Sequence, residues 1–163
     1  MKRLLTAGVG ITVVALACAV WFAVEAAALR PSGDQALVDV AATNQVRDEV
    51  SSAVKALFSY DYADLARTSR AAAETLAGPA VGEYRAQFAT ASKRATDGKL
   101  IRTTTVRAAG VRTLHGDDAT LLLFLDQQTI LPGGGTPQSS VAQLAVTAHS
   151  VDGRWKITDL DPL

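Results

Sequence analysis

The chain reads as an α+β protein: one membrane-spanning helix, then about three helices, then a curved antiparallel sheet of four strands. Three observations predict this. Leu4 to Val24 is a run of 21 residues without a charge. Between Ser32 and Gly98 the apolar residues recur at helical spacing, and from Lys99 onward the period changes to two. Helices that precede a block of strands, with short turns between the strands, imply an α+β domain whose meander sheet wraps around the helices.

The first stretch sets the location. At about 1.5 Å of rise per residue a helix of this length crosses the roughly 30 Å hydrocarbon layer, where only a helix or a closed barrel satisfies its own backbone. Lys2, Arg3 and the α-amino group precede it, while Glu25 and Arg30 follow. The positive-inside bias therefore puts the amino end in the cytoplasm and residues 31–163 outside the plasma membrane, with residues 1–30 as stub and anchor. Trp21 and Phe22 suit an interfacial position. A cleaved signal peptide is the competing reading: Ala26-Ala27-Ala28 offers an exit, but the apolar core exceeds the roughly 7–15 residues of such peptides. Lipid attachment at Cys18 is a poor fit, because Ala19 to Val24 would become an apolar mature terminus. Gly8, Thr12, Ala15 and Ala19 share a helical face, a weak packing signal.

Composition narrows the partners of the outer domain. From Arg30 onward there are 14 basic and 15 acidic residues and no polybasic stretch, which argues against nucleic acid as a partner. The single cysteine lies in the anchor, so the outer domain folds without disulfides. His115 and His149 have no cysteine near them and form no zinc pattern. No cofactor motif is present.

Pro31-Ser32-Gly33 interrupts the membrane helix. Ser32 with Gln35 suggests a capping box for the next helix, in which Val46, Val50, Ala53, Val54, Leu57 and Phe58 form one stripe. Asp48 and Glu49 sit off that stripe and read as solvated. Ser59 to Leu65 ends this helix, and Asp61 is the expected N-cap of a second that runs to Ala77. Gly78 suits a left-handed residue after a helix and Pro79 the first turn of a third. There Val81, Tyr84, Phe88, Ala91 and Ala95 give an apolar face, and Asp97-Gly98 is the stop signal.

Strands are expected at Leu100 to Leu114, with Gly110 as a bulge, and at Ala119 to Leu131, with His115-Gly116-Asp117 as the turn between them. Pro132 to Pro137 is a flexible loop. A strand from about Val141 to Val151 leads through Asp152-Gly153, a strong two-residue hairpin signal, into Arg154 to Leu160.

The segments FSYDYADL (Phe58 to Leu65), LAGPAVGEYRAQF (Leu76 to Phe88), LLLFLDQQT (Leu121 to Thr129) and QLAVTAHSVDGRWKITDL (Gln143 to Leu160), behind one membrane helix, resemble the Mce-associated membrane proteins of mycobacteria and related actinobacteria. The resemblance covers nearly the whole chain. It implies an extracytoplasmic cone of the nuclear transport factor two-like type, encoded with the mammalian cell entry (Mce) proteins that form lipid import machines. It also implies an accessory role beside those proteins. The family brings no catalytic residues to transfer.

Such cones also host enzymes, so the residues need their own test. A ketosteroid-isomerase-like site requires a carboxylate base and a tyrosine aimed at one substrate oxygen in a dry pocket. Asp126 is the candidate base: it shares a strand face with Leu122 and Phe124, with Tyr60, Tyr62 or Tyr84 as partners from the helices. The weightier alternative places Asp126 at the strand end, solvated or paired with an arginine, and has the tyrosines bury their rings. His149 is out of phase with Leu144, Val146 and Ala148, whereas Trp155 and Ile157 share a face. Tyr60, Tyr62, Tyr84, Phe124, Asp126 and Trp155 are thus the candidate cone-lining or interface residues, with no catalytic, cofactor or metal ligand assigned.

Three function classes follow: a non-enzymatic accessory subunit binding Mce proteins and held by the bilayer, with self-association as a further candidate contact; a module holding an acyl chain or sterol in the cone; and a lipid-directed enzyme. A largely apolar cavity of several hundred cubic ångströms would favour the second.

Overall fold

A computed structural model describes residues 36, 39–133 and 135–163. The apolar run Leu4 to Val24, the break at Pro31-Ser32-Gly33 and the Ser32–Gln35 capping box lie outside the described residues. Among the described residues no helix is long and apolar enough to cross a membrane.

Helix α1 spans Val40–Phe58 and is capped by Asp39, whose side chain accepts from the Ala42 amide at 2.9 Å. Its expected stripe is its buried face: Val46, Val50, Ala53, Val54 and Leu57. After Ser59 the chain does not stay irregular. Tyr60–Asp61 forms a two-residue strand, β1, against Ile101 and Arg102, which makes the sheet five-stranded where four strands were expected. This pairing also removes Asp61 from the capping role. The Asp61 side chain accepts from the Ala63 amide, and Asp64 caps α2 (Leu65–Thr75) by accepting from the Arg67 amide at 3.1 Å. Both aspartates stand close before the helix, and only the strand pairing decides between them.

Helix α2 stops at Thr75, two residues early. Leu76 turns inward to burial, bridges to Ile157, and the next amide, Ala77, donates to the Ile157 carbonyl at 2.8 Å. Gly78 takes a positive φ of 57° and Pro79 opens α3, Pro79–Gly98. The stop at its end falls one residue later than expected: Lys99, not Gly98, takes the left-handed conformation, with φ 48° and ψ 48°. A lysine there forgoes the freedom that favours glycine. Lys99→Gly is therefore expected to raise stability by about 0.5–1 kcal/mol, read as a higher urea midpoint at unchanged m-value.

The sheet runs β1-β2-β3-β4-β5 as an antiparallel meander, with β2 at Ile101–His115, β3 at Asp118–Ile130, β4 at Gln138–Val151 and β5 at Arg154–Pro162. Its two tight hairpins, β2–β3 and β4–β5, follow turn chemistry. Gly116 alone supplies the positive φ between β2 and β3, the sign pattern of a type II′ turn, and Asp152 with Gly153 (φ 52° and 74°) supplies the type I′ pattern between β4 and β5.

Bulges decide which side chains face the helices. The β2–β3 register slips between Val106 and Ala108 and again between Val111 and Thr113, and the β4–β5 register slips beside Thr147 and Ala148. Gly110, expected as the bulge, is regularly paired with Leu122. Each slip inserts one residue, so the inward series on β2 reads Thr104, Val106, then Ala109, Val111, then Leu114. On β3 the inward residues are Leu121, Leu123 and Leu125, and on β4 Leu144, Val146 and Ala148. These pack with the α1 stripe, Ala80 and Tyr84 in one core.

The free edge of β5 is covered. Glu49 accepts from the Trp155 amide through Oε2 at 3.0 Å and from Gln45 through Oε1, Ala77 bonds Ile157, and Lys156 Nζ donates to the Glu74 carbonyl. Glu49, read from sequence as solvated, thus occupies a backbone donor that an open strand edge would offer to another chain.

Candidate functional site

The end of α1 is a hydrogen-bond hub. A helix leaves its last carbonyls without intrahelical partners, and here each neighbouring element supplies one. Ser59 N returns to the Lys55 carbonyl, Tyr84 Oη donates to the Leu57 carbonyl at 2.5 Å, Thr104 Oγ1 to the Phe58 carbonyl at 2.7 Å, and Thr68 Oγ1 to the Ser59 carbonyl at 3.0 Å. The Thr104 amide donates in turn to Ser59 Oγ. Tyr84 stacks on Phe88 and meets Phe58 edge-on. Burial pushes the Tyr84 hydroxyl well above its ordinary value, so it remains a donor.

Beside this hub a cavity of about 190 Å³ opens between α3 and the inward face of the sheet. Phe58, Tyr84, Leu125, Leu144 and Leu160 give it apolar walls, and Glu83, Gln87, Arg102 and Gln127 line it with polar groups. Its volume is below the roughly 300–1,000 Å³ in which drug-sized ligands sit. Arg102 is held in place: Nε donates to Thr129 Oγ1 at 3.2 Å, and Cζ sits over the Tyr60 ring, 5.2 Å from its centroid.

Asp126 is elsewhere. Leu121, Leu123 and Leu125 take the inward positions, so Leu122, Phe124 and Asp126 share the outer face, the reverse of the orientation an enzyme site would need. Its carboxylate accepts from Arg107 Nε at 2.7 Å in a solvent-exposed pair. Arg107 is the residue inserted at the first β2 bulge, and such an insertion re-aims a side chain. The arginine-paired alternative is therefore the one observed.

The other candidates do not converge. Tyr60 is buried under Arg102, Tyr62 is exposed, and the Tyr84 hydroxyl is committed to the Leu57 carbonyl. Trp155 packs half-buried against the core and its amide is bonded to Glu49. His149 lies on the outer face with its ring 2.8 Å from Asp118. Among the described residues no three His, Cys, Asp or Glu side chains come together to hold a metal.

The outer face carries a second feature. Cross-strand pairing sets Gly110, Leu122 and Ala145 in one row, Ala108, Phe124 and the exposed Gln143 in the next, and Thr105, Asp126 and Val141 in the row after. Phe124 is 39% exposed and Val141 82%. Ala108 leaves one side of the Phe124 ring open to solvent, while Gln143 flanks its other side and Asp126 faces Val141. Sequence reasoning missed Arg102, Thr104 and Glu49, since a lone arginine, threonine or glutamate in a polar stretch carries no periodic signal.

No family model matches the chain. It is similar to the uncharacterized protein Rv1362c of Mycobacterium tuberculosis, with 34% identity over 110 residues, 66% of this chain and 50% of that protein. The chain thus spans about half the length of this relative. A shorter likeness, 36% identity over 59 residues and 36% of each chain, is to the outer membrane protein Rv1973 of the same organism. Among solved structures it resembles an IcmL-like type IV secretion system protein of Legionella pneumophila (TM-score 0.63, 12% identity, 74% of this chain and 91% of that one). It also resembles CagV, a VirB8 homolog of the Helicobacter pylori type IV secretion system (TM-score 0.61, 12% identity, 72% and 95%). At such identities the likeness is one of fold: three helices against a curled five-stranded antiparallel sheet, the nuclear transport factor two-like arrangement.

Proposed function

We propose that this chain is a membrane-anchored, non-enzymatic accessory subunit of an Mce-type lipid import complex, acting through protein–protein contacts outside the plasma membrane. The observation that carries the reading is the outer sheet face, where Phe124 and Val141 stand exposed on adjacent rows among Thr105, Gln143 and the Arg107–Asp126 pair. An exposed aromatic ring and an aliphatic side chain set among polar groups match the mixed make-up of a non-obligate protein interface. Two proteins of the same fold are named as components or homologues of components of secretion assemblies, which supports a part in an envelope complex. The sequence similarity is to mycobacterial proteins, one of them named for the outer membrane, which supports an envelope location with the domain anchored by Leu4 to Val24. The modest cavity favours contact with proteins over carriage of a sterol.

The test is recovery of Mce proteins with the tagged full chain from mycobacterial membranes in mild detergent, without added lipid. Phe124→Glu is expected to lower that recovery by about tenfold or more while leaving the fold intact, because it sets a charge where apolar contact is needed. Asp126→Asn, which removes only an exposed ion pair, is expected to leave lipid uptake within about twofold of wild type. Uptake falling to the level of a deletion strain, with both protein abundance and recovery of Mce proteins normal, would overturn the non-enzymatic reading.

A further inference from the structure

Arg102 is a cation fixed in place with unused donors. Its Nε bond to Thr129 and its position over Tyr60 orient the guanidinium, and its two terminal NH2 groups make no hydrogen bond or ion pair among the described residues. It lines a cavity whose walls include Phe58, Leu125 and Leu144. A guanidinium held this way is a preformed fork for a planar carboxylate, and the ordering cost has been met in folding.

The cavity's size limits what accompanies the carboxylate. An apolar cavity of about 150 Å³ accepts a benzene molecule, so about 190 Å³ holds roughly eight non-hydrogen atoms on the same scale. We propose that the cavity binds a small monocarboxylate, its two oxygens accepting from the terminal nitrogens of Arg102 and its short apolar body lying against Leu125 and Leu144. Glu83, exposed on α3, also lines the cavity and opposes the bound charge. Binding at this site requires no Mce partner, so it stands or falls apart from the reading above.

Hexanoate is the probe, titrated into the purified full chain while the methyl signals of Leu125 and Leu144 are followed by NMR. Saturable shifts are expected in the millimolar range, with 1-hexanol binding about tenfold or more weakly. Arg102→Gln is expected to weaken hexanoate by about tenfold or more, and Glu83→Gln to tighten it by about two- to fivefold. Should Arg102→Gln disturb the fold, the hexanoate-to-hexanol ratio and the Glu83→Gln effect decide the matter. Equal binding of hexanol and hexanoate, or no saturable shift up to about 50 mM, would overturn the proposal.

Discussion

Leu123→Ala is expected to lower the unfolding free energy by about 2–5 kcal/mol, while Phe124→Ala, one residue along, costs less than about 1 kcal/mol. Leu123 has no exposed surface and sits in the core between β3 and the α1 stripe. Truncation there removes its transfer energy and leaves a void in a close-packed interior. Phe124 points the other way and is already 39% exposed, so little is lost from the folded state. The pair is read by chemical denaturation, with the Leu123→Ala protein melting on the order of 10 °C lower. Equal costs at the two positions would mean that β3 is not in the register described. A larger cost at Phe124 would mean that the strand is turned over.

This contrast marks what the sequence could not resolve. In LLLFL every residue is apolar, so period-two reasoning has no polar mate with which to choose a face, and it leaves both the inward and the arginine-paired placement open for Asp126. The partner strand does not help. Bulges at Arg107 and Arg112 shift the parity of β2 twice, so its inward series cannot be read as a simple alternation. Where the pattern was clean the elements were legible: the α1 stripe Val46, Val50, Val54 and Leu57 is buried as its spacing requires, and Asp152-Gly153 makes the two-residue turn that its chemistry dictates.

Segment ends were harder for a different reason. FSYDYADL contains two aspartates, two tyrosines and a serine, any of which could cap or terminate a helix. Long-range partners settle the outcome: Arg102 and Ile101 draw Tyr60 and Asp61 into the sheet, and Thr104 and Thr68 reach the Phe58 and Ser59 carbonyls. The candidate cavity shares this origin. Arg102 faces it because β1 fixes the start of β2, and Tyr60 on β1 supports the guanidinium from beneath. Local sequence does not encode such convergence.

The hub at the end of α1 therefore predicts its own sensitivity. Thr104→Val keeps the shape of the side chain and removes only the hydroxyl that donates to the Phe58 carbonyl at a position with no solvent exposure. Because the carbonyl is left with a desolvation penalty and no partner, the expected cost is about 1–3 kcal/mol. Thr105→Val, one residue along and exposed, should stay within about 0.5 kcal/mol of wild type. Tyr84 offers an independent reading of the same hub through pH. Burial raises its hydroxyl above the ordinary value of 10.0, so above that pH the unfolded chain loses a proton that the folded chain keeps. Stability is then complete below about pH 10 and falls as pH rises further. Tyr84→Phe should remove its share of that alkaline fall, at the cost of an unpartnered Leu57 carbonyl at neutral pH. If Thr104→Val is as silent as Thr105→Val, the α1 end is not held by these side chains, and the position of Arg102 at the cavity would need another support.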